Sequence, residues 1–184
     1  NSSAASDVYK RQVCNLASKR GLRVTGSELV GLIPKSALMD AGKYYLNKQG
    51  RSLGVSESEI LECAVQSLGL NDVSKFNLKE KIIEFAIEDK KDSLLHLSTD
   101  DLIQSISQNS PAPGGGSVSA LAGALGAALL SMVSLLTYDK KEYFSRRTNM
   151  SRLGEMAHKY QKRLKELVDE DTHAFDSVMY ASRL

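Results

Sequence analysis

The chain has 184 residues, enough for one ordinary domain or two small ones that can each bury a core. Its 24 Lys and Arg nearly balance 22 Asp and Glu. That balance removes the general electrostatic case for nucleic acid or an anionic membrane surface as partner, and leaves room for a small anionic ligand. Cys14 and Cys63 stand in no metal or redox spacing, so they read as reduced, half-buried thiols of a cytoplasmic protein. The N-terminus lacks a basic segment followed by an apolar run, and no secretory signal is expected.

Asp7 to Gln12, "DVYKRQ", resembles the conceptual translation of a sequencing-library adapter, so residues 1–12 are given no functional weight and both ends are expected to be truncations. From Val13 to Arg20 the spacing of Val13, Leu16 and Ala17 fits one helical face, and Gly21 is placed to end it. "LRVTGSELVGLIP" (22–34) gathers β-branched and apolar residues around Gly26 and Gly31, the pattern of a strand, a tight turn and a second extended piece. The turn brings Glu28 close to exposed backbone. Pro34 can open the next helix, in which Ala37, Leu38, Ala41, Tyr44, Tyr45 and Lys48 follow three-and-four spacing as far as Gly50. Ser56 and Glu59 form a capping box, with the hydroxyl taking one free amide and the carboxylate reaching back to another. Ile60, Leu61, Ala64 and Leu68 supply that helix's buried face, and Gly69 stops it. "NLKEKIIEFAI" (77–87) is a further short element, helix or strand, before the charged break "EDKKDS" (88–93), which reads as a linker.

Beyond the break, Ser98 or Thr99 can cap a short amphipathic helix carrying Leu102, Ile103 and Ile106. "PAPGGGSVSALAGALGAALLSMVSLLTY" (111–138) follows. It lacks the Gly-Lys-Ser/Thr ending of a phosphate loop, and no strand runs into it. Glycines before a helix still leave amides uncovered at the positive end of the dipole, where a carboxylate, phosphate or polar ring edge can dock, and Ser117 can be the cap. Equally, the glycines simply let the chain turn into a crowded bundle. From Ser117 to Tyr138 the run is uncharged and long enough to cross a bilayer. Its stripe of Leu121, Leu125, Leu129, Met132, Val133 and Leu136, opposite the small residues Ala120, Ala124, Ala127, Ala128 and Ser131, favours an interior helix buried all round over a membrane span. Lys140, Lys141, Arg146 and Arg147 come next, where they can complement that helix's C-terminus or hold an anionic tail, with a solvated loop as the default expectation. The rest has no Pro and only Gly154 from Asn149 onward, so one long helix is expected from about Ser151.

Within "RLKELVDEDTHAFDSVMYASRL" (163–184) the apolar positions Leu164, Leu167, Val168, Ala174, Phe175 and Val178 define a face, and Asp171 falls on it. A carboxylate on a core-facing stripe is costly unless paired or used, and desolvation raises its pKa toward the range of a general acid or base. A structural Asp paired with a Lys or Arg of a neighbouring helix fits the same pattern. Asp169, His173 and Asp176 sketch a helical metal site, but an ordinary solvated face looks identical and no Cys or second His joins them, so no metal is expected.

"VTGSELVGLIPKSALMDAGKYYLNKQGRS" (24–52) and "SLGLNDVSKFNLKEKIIEF" (67–85) resemble the C-terminal subdomain of glutamate formiminotransferase, and "PAPGGGSVSALAGALGAALLSMVSLLTYDKKEY" (111–143) with "LVDEDTHAF" (167–175) resembles the front of the cyclodeaminase module of the formiminotransferase-cyclodeaminase family. The resemblance spans about residues 13–184, in the order of the fused enzymes. It implies an α+β formiminotransferase C-terminal subdomain at 13–88, a linker at 89–97, and an incomplete all-α helical bundle of cyclodeaminase/cyclohydrolase type at 98–184. It also implies folate chemistry of histidine breakdown: passage of a formimino group from formiminoglutamate to tetrahydrofolate, then closure to 5,10-methenyltetrahydrofolate with release of ammonia. Glu28 would be a folate contact, Asp171 the cyclodeaminase carboxylate, and Gly114, Gly115, Gly116 and Ser117 would lie by the folate pocket. The expected partners are folate, polyglutamylated or not, and formiminoglutamate, with no nucleic acid, no membrane span, no metal, and a homo-oligomer formed through the helical module. The formiminotransferase N-terminal subdomain and the rear of the bundle lie outside the 184 residues, so by itself the fragment is expected to catalyse neither step. A methenyltetrahydrofolate cyclohydrolase and a non-catalytic helical dimerisation module are the alternatives.

Overall fold

The computed structural model describes residues 3–87 and 93–182 and divides the chain into two compact units, Asn1–Asp89 and Lys90–Leu184. Most of the charged break at 88–93 lies outside the described residues.

The first unit holds α1 (Ser3–Lys19), α2 (Lys35–Lys48), α3 (Glu57–Leu68) and two single turns, α4 (Leu78–Lys81) and α5 (Ile83–Ala86). Residues 7–12 form part of α1. Local chemistry sets the ends of the longer helices. Gly21, Gly50 and Gly69 take positive φ values just beyond α1, α2 and α3, and Ser56 accepts from the Glu59 amide at the start of α3. The carboxylate half of the capping box differs from expectation: Glu59 Oε1 lies 3.2 Å from Ser56 Oγ and accepts from that hydroxyl. At the start of α2, the Lys35 amide donates to Glu84 Oε2 at 2.7 Å, so a side chain of α5 caps α2.

The core of this unit is Leu38 and Ala41 of α2, Leu61, Ala64 and Val65 of α3, Leu70 and Ile82. Gly42 makes the α2–α3 approach possible, because a Cβ there would stand 2.1 Å from the Ile60 carbonyl oxygen. Ile82 has an extended backbone that splits α4 from α5 and is fully buried.

The expected α+β subdomain is not what forms: among the described residues there is no strand, only an isolated parallel bridge between Ile33 and Ile82. A strand exists through its ladder partners, and β-branched composition records only compatibility with a pleated, half-buried surface. Among the described residues the loop at 22–32 has no such partners. Its Ser27 amide and hydroxyl go to the Gly69 and Leu68 carbonyls at the end of α3, and Val30 is 91% exposed.

The second unit begins with a 3₁₀ turn (Leu94–His96), followed by α6 (Thr99–Ile106), α7 (Gly115–Tyr138), a second 3₁₀ turn (Lys141–Arg146) and α8 (Arg147–Ala181). Ser98 is the cap of α6, accepting from the Asp101 amide. α7 and α8 run antiparallel: Ser117 meets Val168, Gly123 faces Leu164, and Ser131 bonds His158 Nε2 at 2.9 Å. Small residues make this approach close, with Ser117, Ala120, Ala124, Ser131 and Ser134 buried on α7 and Gly154 and Ala157 on α8. Arg147 closes the turn. Its Nε donates to the Tyr138 carbonyl at 2.9 Å, and its guanidinium stacks on Tyr138 and Phe144.

Two expectations about this pair change. α7 is buried on its small-residue face alone, and its stripe of large side chains is open, with Leu125 and Leu136 each 60% exposed. α8 buries Val168, whereas Ala174, Phe175 and Val178 are exposed. α7 starts opposite Asp171, so the last ten residues of α8 extend past it by about 15 Å and have no helix of this pair to pack on.

Candidate functional site around Asp171

The first turn of α7 lacks partners for its amides within the helix, and α8 supplies one. The Ser117 amide donates to Asp171 Oδ2 at 2.8 Å, and Ser117 Oγ lies 3.2 Å from the same oxygen. That hydroxyl also donates to the Val168 carbonyl at 2.8 Å and lies 3.1 Å from Thr172 Oγ1. Ser117 itself is 3% exposed. The glycine before it matters for a steric reason: a Cβ on Gly116 would fall 2.2 Å from Asp171 Oδ1. Sequence reading therefore named both halves of a junction, the glycine-rich helix start and the second acid of "VDED", and the structure brings them together.

Three details of that reading change. Asp171 is exposed and not desolvated in a core stripe. Its partner is the start of α7, and among the described residues no Lys or Arg pairs with it. Ser117 is not a side-chain cap of its own helix; Gly114 occupies the cap position, and the Ser117 hydroxyl turns toward α8. Thr172, which helical period assigns to a side away from the apolar face, joins this network instead, because period alone does not tell which hydroxyl on a helix faces a neighbour.

Asp169, one turn short of His173, falls on the face expected to be solvated or metal-ligating. Its carboxylate instead accepts from Ser93 Oγ at 2.6 Å and from the Leu94 amide at 2.9 Å, tying the first 3₁₀ turn to α8. Among the described residues no group of three or more His, Cys, Asp or Glu is close enough to hold a metal. A cleft of about 360 Å³, lined by His96, Asp169, Thr172 and His173 among others, opens beside this tie and shares Thr172 with the Asp171 network. That volume falls in the range usual for small-molecule clefts, roughly 300–1,000 Å³.

Glu28 lies in the first unit, exposed, at the rim of a cavity of about 130 Å³ formed by the 22–33 loop with α2 and α3. Lys10 Nζ and Ser27 Oγ both donate to the Leu68 carbonyl beside it.

A family model described as formiminotransferase domain matches residues 1–88, and one described as formiminotransferase-cyclodeaminase matches residues 98–184. The formimidoyltransferase-cyclodeaminase of Sus scrofa is 38% identical over 175 residues, 94% of this chain and 32% of the relative. That of Gallus gallus is 38% identical over 181 residues, 96% of this chain and 33% of the relative. A methenyltetrahydrofolate cyclohydrolase of Methylorubrum extorquens is 37% identical over 79 residues, 43% of this chain and 38% of the relative. The chain thus spans about a third of the length of the two-function relatives, and it carries matches to both of their parts in the same order. With both parts matched, the chain belongs to the formiminotransferase-cyclodeaminase family.

Proposed function

We propose that this chain is the junction segment of a folate enzyme of histidine breakdown, and that Asp171 moves the proton in its cyclodeaminase step. The observation that carries the reading is the Asp171 carboxylate held on the Ser117 amide, within the segment matched by the cyclodeaminase family model. Ring closure of 5-formiminotetrahydrofolate forms a bond from N10 to the formimino carbon and then breaks the bond from that carbon to the terminal nitrogen. N10 loses a proton and the departing nitrogen gains one, leaving as ammonia. One carboxylate beside the reacting carbon can take the first proton and return it for the second transfer. Ser117 donates to Oδ2, which leaves Oδ1 of the exposed carboxylate for substrate.

The cleft sharing Thr172 is large enough to receive part of the folate, and Gly114 and Gly115, at the start of α7, are proposed to lie by it, while Glu28 is the proposed folate contact of the formiminotransferase part, which takes the formimino group from formiminoglutamate. α7 is long and apolar enough to cross a membrane, but its small-residue face is packed on α8. This supports a bundle helix whose open apolar stripe is covered by association with further helices, including those of a second copy. The two free cysteines suit a cytoplasmic setting.

The match to a cyclohydrolase favours a second reading, in which the same carboxylate serves ring opening by water. The formiminotransferase match over residues 1–88 speaks for the deaminase. The test is a chimaera in which this chain replaces the matching third of the Sus scrofa relative. Asp171→Asn is expected to lower ammonia release from formiminotetrahydrofolate by about 100-fold or more while formimino transfer persists. Ammonia release near the unmutated rate would remove Asp171 from the mechanism.

A further inference from the structure

We infer that Gly116 and Ser117 are positioning residues, a two-part seat that fixes the Asp171 carboxylate, and not contacts to folate. The inference rests on the reading of Asp171 above and adds how the carboxylate is held. The two residues act in opposite ways, one through what it lacks and the other through what it donates.

Asp171 is exposed, and a short carboxylate side chain in that setting has alternative rotamers and water as competing partners. Two features select one arrangement. Ser117 donates its amide to Oδ2 at 2.8 Å, and its Oγ lies 3.2 Å from the same oxygen. The amide belongs to the first turn of α7, where it has no carbonyl partner within the helix. The hydroxyl is fixed in turn by the Val168 carbonyl and by contact with Thr172, so its orientation is set by α8. At 3% exposure, with these contacts all on α8, Ser117 has little left for a ligand.

Gly116 supplies the room. An added Cβ would stand 2.2 Å from Oδ1, 2.4 Å from Cγ and 2.5 Å from Oδ2 of Asp171, so the carboxylate can rest there only against a residue with no side chain. All three of these atoms belong to the end of one flexible side chain, and no backbone atom is among them. A methyl group at Gly116 therefore expels the carboxylate without forcing α7 and α8 apart. It should spare the fold and damage the site, a combination that a glycine needed only for turning or packing would not show.

The first measurement is hydrogen exchange at the Ser117 amide in the 184-residue chain. Gly116→Ala is expected to speed it roughly tenfold or more by removing its acceptor, with amides in the middle of α7 unchanged. The second uses the chimaera with the Sus scrofa relative. Gly116→Ala is expected to lower kcat for ammonia release at least about tenfold with KM within about twofold and an unaltered melting temperature. Ser117→Ala, which keeps the amide and loses only the hydroxyl tie to Val168, should lower kcat by less, and Ser117→Thr, which keeps the hydroxyl, should restore part of it. Gly126→Ala, on the same helix with open space around it, should leave both constants unchanged. If Asp171→Asn abolishes ammonia release while Gly116→Ala leaves kcat and the Ser117 amide untouched, the seat is refuted and the role of Asp171 stands. A rise in KM at constant kcat would also refute it, by making Gly116 a substrate contact. If Asp171→Asn is itself active, the reading of Asp171 fails, and the exchange result alone decides whether the seat exists.

Discussion

Gly42→Ala and Gly126→Ala are the same chemical change on two helices, and the structure gives them opposite signs. At Gly42 the new methyl would stand 2.1 Å from the Ile60 carbonyl oxygen, more than an ångström inside the 3.4 Å at which ordinary van der Waals contact begins. Ile60 Cγ2 and the Ile60 carbonyl carbon crowd it as well, at 2.6 and 2.9 Å. A backbone carbonyl within α3 cannot turn aside without breaking its helix, so α2 and α3 have to separate along the face that forms the core of the unit. Overpacking of this kind costs about 3 kcal/mol, and Ala returns about 1 kcal/mol of helix propensity, for a net loss near 2 kcal/mol. At Gly126 nothing lies within 4 Å of the added carbon, and only the propensity gain of about 1 kcal/mol remains. Native-state hydrogen exchange followed peptide by peptide reads each unit separately. The most protected α2 and α3 amides should exchange about 30-fold faster in Gly42→Ala, and those of α7 should slow by about fivefold in Gly126→Ala. Unchanged or increased protection of α2 and α3 in Gly42→Ala would refute the claim that glycine sets the separation of these helices.

Glu84 is held below its ordinary pKa of 4.5, first by accepting from the Lys35 amide. A carboxylate depressed by folding adds stability above its unfolded value, and that contribution is lost as pH falls through the folded value. Glu84→Gln should therefore destabilise the first unit at neutral pH and flatten the loss of stability as pH falls below the ordinary value of 4.5, as seen in acid titrations of α2 exchange; an unaltered acid limb would sink the assignment. Asp169→Asn removes one of two acceptor oxygens that hold Ser93 and Leu94 to α8. Exchange at the Leu94 amide should rise about tenfold while Val168 and its neighbours stay protected, and no change there would show that the tie does not order the turn.

What was legible in the sequence is what short-range chemistry decides. Ser56 and Gly69 bound α3 because a hydroxyl reaches an amide three residues on and glycine takes the left-handed conformation, with no help from the rest of the chain. α7 was legible as a helix but not in its surroundings: small residues say that a close approach is possible on one side, and nothing in the run says whether the other side is covered. Asp171 shows the same limit. Period places it among apolar positions of α8, but burial also depends on where the partner helix begins, and α7 begins just there. At 22–32 the reading failed because β-branched residues describe a tolerance, whereas a strand needs a neighbour.

The antiparallel packing of α7 against α8 makes the spacing between "GGGS" and "DED" a fixed length as well as an order. Ser131 on His158, Gly123 on Leu164 and Ser117 on Asp171 lie along one line of contact, like teeth of two combs. One residue inserted near Gly126 would turn everything before it by about 100° and advance it by about 1.5 Å, carrying Ser117 off Asp171 although the insertion lies nine residues away. Seven residues would restore the angle to within about 20° and leave an offset of about 10 Å. Length changes are therefore admissible in the turn at 139–146, where the helices reverse, and excluded from the two helical arms unless both lengthen together.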